Sequence, residues 1–396
     1  KFLSLLTTKQ VWPVPAARND QIKPENILMM TSRERVLKAF RRIEGLPDRV
    51  PVEFDLCRQH LDYFGKKLNI PVHVTDNLYE DVTYRISGNE IRTAMGSDTV
   101  IVGASVSDDF KIEKREDGTW LNEYKMRMQQ GSLYVEVVEY PLANAQTAAD
   151  IKNYQFPDPD APGRYRDAEA LVKKYKDDYF IIGDIEVTLF SLAHQLAGFE
   201  KILMSMFMED EYLEPLFAAC GEFQTQIALR LIDAGVDAIW VGDDFGSQTS
   251  TLFAPEMFRK LLLPYYKKMI DTLKAKKPDL VTILHSDAAV GTLMPMIKEC
   301  GFDVFNPVQP GVPLHSPQEV KDKYGDMFAF WGAIDQQYLM PNGTDEELEA
   351  DIKERIEILG KGGGYMVAPA HIIQADVKPE RVEKFIELCK KYGQIY

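Results

Sequence analysis

The feature that most constrains this chain is a unit repeated four times in its last third. Each copy is a short apolar run, a polar group at its end and a stretch of helical character. VTILHSD closes on His285 and Asp287, DVFNPVQP on Gln309, FAFWGAID on Asp335 and GYMVAPAH on His371. Apolar runs of this length, each followed by an amphipathic segment, read as parallel strands joined by helical crossovers. In a (β/α)8 barrel the carboxyl ends of the strands share one face, and that face carries the chemistry. The four polar strand ends are therefore expected to converge, which points to an enzyme.

Upstream the rhythm continues. RVPVEFD ends at Glu53 and Asp55, SDTVIVGAS supplies another strand, YFIIGDIE ends at Glu186 and DAIWVGDD at Asp243 and Asp244. The expected fold is thus α/β, a (β/α)8 TIM barrel. Between Lys111 and Glu139 an alternating pattern broken by a Gly turn predicts an inserted β-hairpin, and the Pro-rich PDPDAPGRY marks the return to the barrel. A doubly wound open sheet is the competing architecture. No GxGxxG follows a strand, however, and polar ends occur on most units rather than at one switch point. The GKGGG run at 360–364 precedes a strand and reads as a helix C-cap and turn. MTSRERVLKAF looks like the start of the fold, with Thr31 or Ser32 capping a helix. The expected organisation is an extension over 1–29 and a single barrel domain over 30–396.

Composition narrows the partners. A formal net charge of −15 opposes the approach of nucleic acid and other polyanions. With no run of about 18 apolar residues, no membrane span is expected. Cys57, Cys220, Cys300 and Cys389 lie far apart with no CxxC pair, and KFLSLL is too short for a signal-peptide core. A cytoplasmic setting follows from these features.

Several blocks in order carry a resemblance: ERVLKAFRRIEGLPDRVPV, GVDAIWVGDDFGSQTSTLFAPEMFRKLLLPYYKKMI, ILHSDAAVGTLMPMIKECGFDVFNPVQP, and the segment from FWGAID to VKPERV. Together they resemble the uroporphyrinogen decarboxylase superfamily over most of residues 30–396. The resemblance implies either cofactor-free decarboxylation of a tetrapyrrole or zinc-dependent methyl transfer with a corrinoid protein, and it suggests a homodimer. For the decarboxylase branch, CRQHLD at 57–62 matches a motif like MRQAGR at Arg58 and Gln59, but Asp62 stands where a second arginine is expected. Gly103 and Ala104 occupy the strand end where that branch places an aspartate. A polycarboxylate among Glu53, Asp55, Asp62, Glu186, Asp243 and Asp244 would also be repelled. For the methyltransferase branch, His285 is kept, Asp287 replaces the first cysteine of His-x-Cys, and His371 lies near the last strand with no cysteine close by. An imidazole and carboxylate set suits zinc with an oxygen substrate better than thiol activation.

The expected activity is accordingly that of a corrinoid-dependent methyltransferase of O-demethylase type. It would move a methyl group from a small methoxylated donor to cob(I)alamin on a separate carrier protein, since no DxHxxG motif occurs in the chain. Asp243, Asp244, His285 and His371 are the expected catalytic groups. Zinc would be held by His285, Asp287 and Glu186, and substrate would be lined by Glu53, Arg58, Phe245, Gln309, Trp331 and Asp335. The alternatives are a decarboxylase-type lyase and a non-catalytic small-ligand binder. Each candidate also has a plainer role: Asp335 as a helix cap, Trp240 and Trp331 as core, and one of Asp243 and Asp244 as a cap, because adjacent residues of a strand face opposite sides.

Overall fold

A computed structural model describes residues 30–75, 83–131 and 135–396, and the extension read over 1–29 lies outside the described residues. Seven parallel strands form one sheet, in the order β1 (Thr99–Gly103), β5 (Phe180–Asp184), β6 (Ala238–Gly242), β7 (Val281–His285), β8 (Val304–Val308), β9 (Ala329–Ile334) and β10 (Tyr365–Pro369). The segment 50–57 joins the two edges. Val52 and Leu56 form parallel bridges to Val367 and Ile373, while the Asp98 amide donates to the Val52 carbonyl at 2.9 Å. An eighth stave so closes the barrel, as the repeated units predict.

Alternation along the strands divides the apolar residues into two cores. Ile101, Ile182, Trp240, Ile283, Trp331 and Met366 belong to one cluster, the barrel interior. Their neighbours Val100, Ile181, Ile239, Leu284, Phe330 and Val367 pack outward with the helices. The period of two is what lets a single strand serve both layers.

At the amino ends of the strands, aspartates hold the staves in register. Asp98, Asp237 and Asp303 each accept the backbone amide of the preceding stave, from Val52 at 2.8 Å, Ile181 at 3.1 Å and Thr282 at 3.0 Å. Asp98 also receives Arg35 and Arg49. This is the end of a barrel that maintains the fold rather than the chemistry. Gly362, Gly363 and Gly364 all have positive φ and make the turn into β10, as expected for GKGGG.

The insertion between β1 and β5 is a three-stranded antiparallel sheet, β2 (Trp120–Leu121), β3 (Arg127–Gln130) and β4 (Val135–Glu139), one strand more than the hairpin expected. The Arg164 guanidinium anchors its base, bonding Glu123, Ser105 O and Asp158 O.

Candidate functional site

At the carboxyl end of β7 the chain turns sharply, with Ala288 at φ 71°. His285 and Asp287, two residues apart, are presented to the same side. The Asp287 amide donates to Asp244 Oδ1 at 2.8 Å, which draws the end of β6 against the end of β7. Asp244, His285 and Asp287 consequently place one ligand atom each within 4.8 Å of one another. His371, from the end of β10, closes the other side: its Nε2 lies 3.7 Å from Asp287 Oδ2, and His285 Nε2 lies 3.9 Å from the same oxygen. Both imidazoles thus share one carboxylate, and the strand ends do converge.

The buried His285 ring is fixed from two directions. It stacks on Trp240 with centroids 5.1 Å apart, and its Nδ1 lies 2.6 Å from Asn306 Oδ1. Because a carbonyl oxygen can only accept, Nδ1 carries the proton and Nε2 presents its lone pair to the Asp287 side. Burial lowers the affinity of His285 for a second proton, but Asp287, Glu186 and Asp244 outweigh it and leave its pKa raised. Asp287 is also raised by burial, against the pull of His285 and His371. Among the described residues, its Oδ1 is buried without a hydrogen-bond partner.

Behind this cluster the barrel interior holds an ionic network that the sequence pattern did not disclose. Arg85 bonds Asp55 at 2.8 Å, pairs with Glu186, lies 3.6 Å from Asp184 and sits 4.5 Å above the Trp240 ring. Arg92, wholly buried, bonds Glu53 at 2.6 Å and lies 3.2 Å from Asp55. Burial and the neighbouring Asp55 push Glu53 up to about 8, and burial pushes Asp184 up to about 7. Glu186 behaves oppositely: burial would raise it, but Arg85, His285 and His371 prevail and hold it low. The acidic field read from the sequence is therefore largely neutralised by two arginines on the segment 83–95. They stand seven apart in RISGNEIR, Arg85 in a turn and Arg92 in the helix Asn89–Met95, so no helical period in the sequence flags the pair.

The other candidates are placed as follows. Asp243 is buried and turned from the cluster. It accepts the Leu189 and Ser191 amides at 2.8 and 2.6 Å and the Tyr266 hydroxyl at 2.6 Å, and burial pushes it up to about 6. Glu186 is held by Arg85 rather than grouped with the three ligand atoms. Gln309 braces the loop, accepting the Ala288 amide at 2.7 Å and donating to Gln248 at 3.1 Å. Asp335 caps a turn through the amides of Gln337, Tyr338 and Leu339. Phe245 is buried among Phe190, Phe253, Phe258 and Tyr266 in the helical layer, and Trp331 packs edge-on to Trp240 inside the barrel. Arg58 pairs with Asp62 on an exposed helix face, and Glu53 belongs to Arg92.

Beside the cluster lies a cavity of about 170 Å³. The three-stranded insertion covers it with Trp120, Tyr124 and Met128, and Asp184 and Glu186 of the β5 end form part of its wall.

Comparison with known proteins agrees with the barrel. A methyltransferase structure from Methanosarcina mazei superposes with a TM-score of 0.67 at 18% identity, over 92% of this chain and 99% of that one. In sequence the chain is 23% identical to methylcobamide:CoM methyltransferase MtbA of Methanosarcina mazei, across 65% of this chain and 71% of that protein. It is 27% identical to uroporphyrinogen decarboxylase of Chlorobium limicola, across 63% and 71% respectively. The model of the uroporphyrinogen decarboxylase (URO-D) family matches residues 125–392. The chain belongs to the uroporphyrinogen decarboxylase family.

Proposed function

We propose that this protein is a corrinoid-linked methyltransferase that takes a methyl group from a small oxygen-bound donor and delivers it to a corrinoid on a separate carrier protein. The observation that carries the reading is the cluster of Asp244, His285 and Asp287 beside His371 at the barrel mouth. Its donors are imidazole nitrogen and carboxylate oxygen, a set that fits zinc, and three protein ligands leave a position open as catalytic zinc sites do. The unpartnered Asp287 Oδ1 and the Asn306 bond that frees His285 Nε2 for coordination fit the same ion. When bound, zinc would act as a Lewis acid toward the donor oxygen, which is a poor leaving group unless its developing charge is stabilised.

The protein's own residues do the rest. Trp240 and Asn306 hold the His285 ring, Gln309 and Asp244 hold the loop bearing Asp287, and Arg85 keeps Glu186 ionised beside the cluster. His371 and Asp244 are exposed, so the mouth can admit a docked carrier. Similarity to MtbA, whose name describes methyl transfer from a methylcobamide, supports the corrinoid partner.

Metal analysis of protein purified without chelator tests this reading. About one zinc per chain is expected, with loss of most of it in His285→Ala. Methylation of a corrinoid carrier by an O-methyl donor should require that zinc. Consumption of uroporphyrinogen by metal-free protein would instead establish a decarboxylase. Absence of both metal and turnover would leave a binding protein on the same fold.

A further inference from the structure

The helix Phe199–Met208 is apolar on two opposite faces. Ile202 and Met206 pack inward, as an amphipathic helix requires of one side. The other side is apolar as well and lies in the open: Phe199, Leu203 and Phe207 stand four apart, with Met204 and Met208 in the adjoining row. Phe207 is 78% exposed and Met208 64%. We propose that this outer face is the docking surface for the corrinoid carrier, which meets it with an apolar groove rimmed by basic residues. This rests on the methyltransferase reading and adds the surface through which the partner is held.

Position favours that occupant. The helix Leu213–Ala234 leads into β6 and so ends at the amino end of the barrel. Its 22 residues span about 33 Å, roughly twice the length of the five-residue strand, so its start rises to the mouth end. The helix Phe199–Met208 directly precedes that start. Two ties fix it there. Phe199 packs edge-on to His194 at 5.2 Å, in a helix whose first amides bond Asp243, the neighbour of Asp244. Glu209 pairs at 2.6 Å with Lys260 of the helix Pro255–Leu261, which follows the loop leaving β6. A carrier that presents its corrinoid to the mouth can therefore reach this face at the same time.

Area and charge separate the carrier from a second copy of the chain. Phe199, Met204, Phe207 and Met208 leave on the order of 500 Å² of apolar surface exposed. That is about the apolar share of one side of a standard, separable complex, and well short of the 1,000 Å² or more per side of an obligate dimer. The rim is acidic. Glu200, Asp210 and Glu211 are exposed around the stripe, whereas Lys201 is bound to the carbonyls of Leu142, Ala143 and Ala145, and Lys260 is taken by Glu209. Two copies laid face to face would set Glu200 against Glu211, or each against itself, so acid meets acid in either direction. A basic rim on the partner turns the same charges into steering. The two methionines suit a partner that binds and leaves in each cycle, because thioether side chains repack readily.

Calorimetric titration of the zinc-loaded full chain with a purified corrinoid carrier protein, reconstituted with hydroxocobalamin, tests the proposal. Binding is expected, weakened about tenfold or more in Phe207→Glu and in the double variant Met204→Glu, Met208→Glu, and largely kept in Phe207→Leu. Zinc content and melting temperature should stay at the unaltered values in all three, since each side chain points to solvent. Carrier binding unaffected by either acidic variant would overturn the docking surface and leave the methyltransferase reading standing. Sedimentation that shows a dimer of the unaltered chain, converted to monomer by Phe207→Glu, would overturn it too, by giving the face to a second copy. Failure of the unaltered chain to bind any corrinoid carrier would count against the methyltransferase reading and remove the docking surface with it.

Discussion

His285, Asp287 and His371 stand out in the sequence because each follows an apolar strand, and the register of a barrel leaves such residues only one face to occupy. What they do there depends on neighbours the sequence does not label. Asn306 is an example: it lies inside β8, beside a proline, and reads as an interruption of a strand. In the structure its side-chain oxygen sets the His285 tautomer. Asn306→Ala should therefore lower zinc affinity about 10- to 100-fold without unfolding the protein, the usual cost of losing the partner of a ligand. Competition against a chelating dye would measure it, and unchanged affinity would mean that the ring is held by Trp240 alone. Arg85 and Arg92 lie at the other extreme. As isolated letters they are two basic residues in a polar stretch, and only packing shows that four carboxylates depend on them.

Elements explain why Asp243 and Asp244 have different fates. Adjacent residues leaving β6 point to opposite sides, so one faces the mouth and the other the helical layer. The sequence establishes that they must divide but not which goes where. In the structure Asp244 joins the cluster, and Asp243 fastens the start of the helix Phe190–Ala197 to the end of β6. Replacing Asp243 with Ala would strand two amides and the Tyr266 hydroxyl in a buried site. A loss of about 3 kcal/mol or more in urea denaturation is expected, at about 1 kcal/mol or more for each unsatisfied donor. A loss of activity at undiminished stability would instead give Asp243 a direct part in the chemistry. The insertion teaches a related lesson: its alternation was legible, but the cavity beneath it arises from strands β2 to β4 meeting the end of β5, far apart in the chain.

On the scale of the whole molecule, burial sets a dependence of stability on pH. His315 is buried, and burial, outweighing the opposing effect of the Gln309 backbone and Glu319, pushes its pKa down to about 4 from an ordinary 6.5. The folded protein therefore binds this proton more weakly than the unfolded chain. The associated stability is complete above pH 6.5 and is lost as pH falls through 4. The difference corresponds to about 3 kcal/mol. Denaturation across that window should show the decline, and His315→Gln should flatten it; an unchanged slope would mean that the ring is protonated in the fold.

The sequence alone determined the barrel, because alternating burial and helical crossovers are local patterns with one compatible closure. It also determined that histidines and carboxylates would meet at the mouth, since strand ends share a face. Tertiary structure decided which carboxylates stay charged, which are spent on the fold, and what shape of ligand can approach them. Those outcomes depend on distances between groups remote in sequence, where desolvation and paired charges, rather than residue type, set the balance.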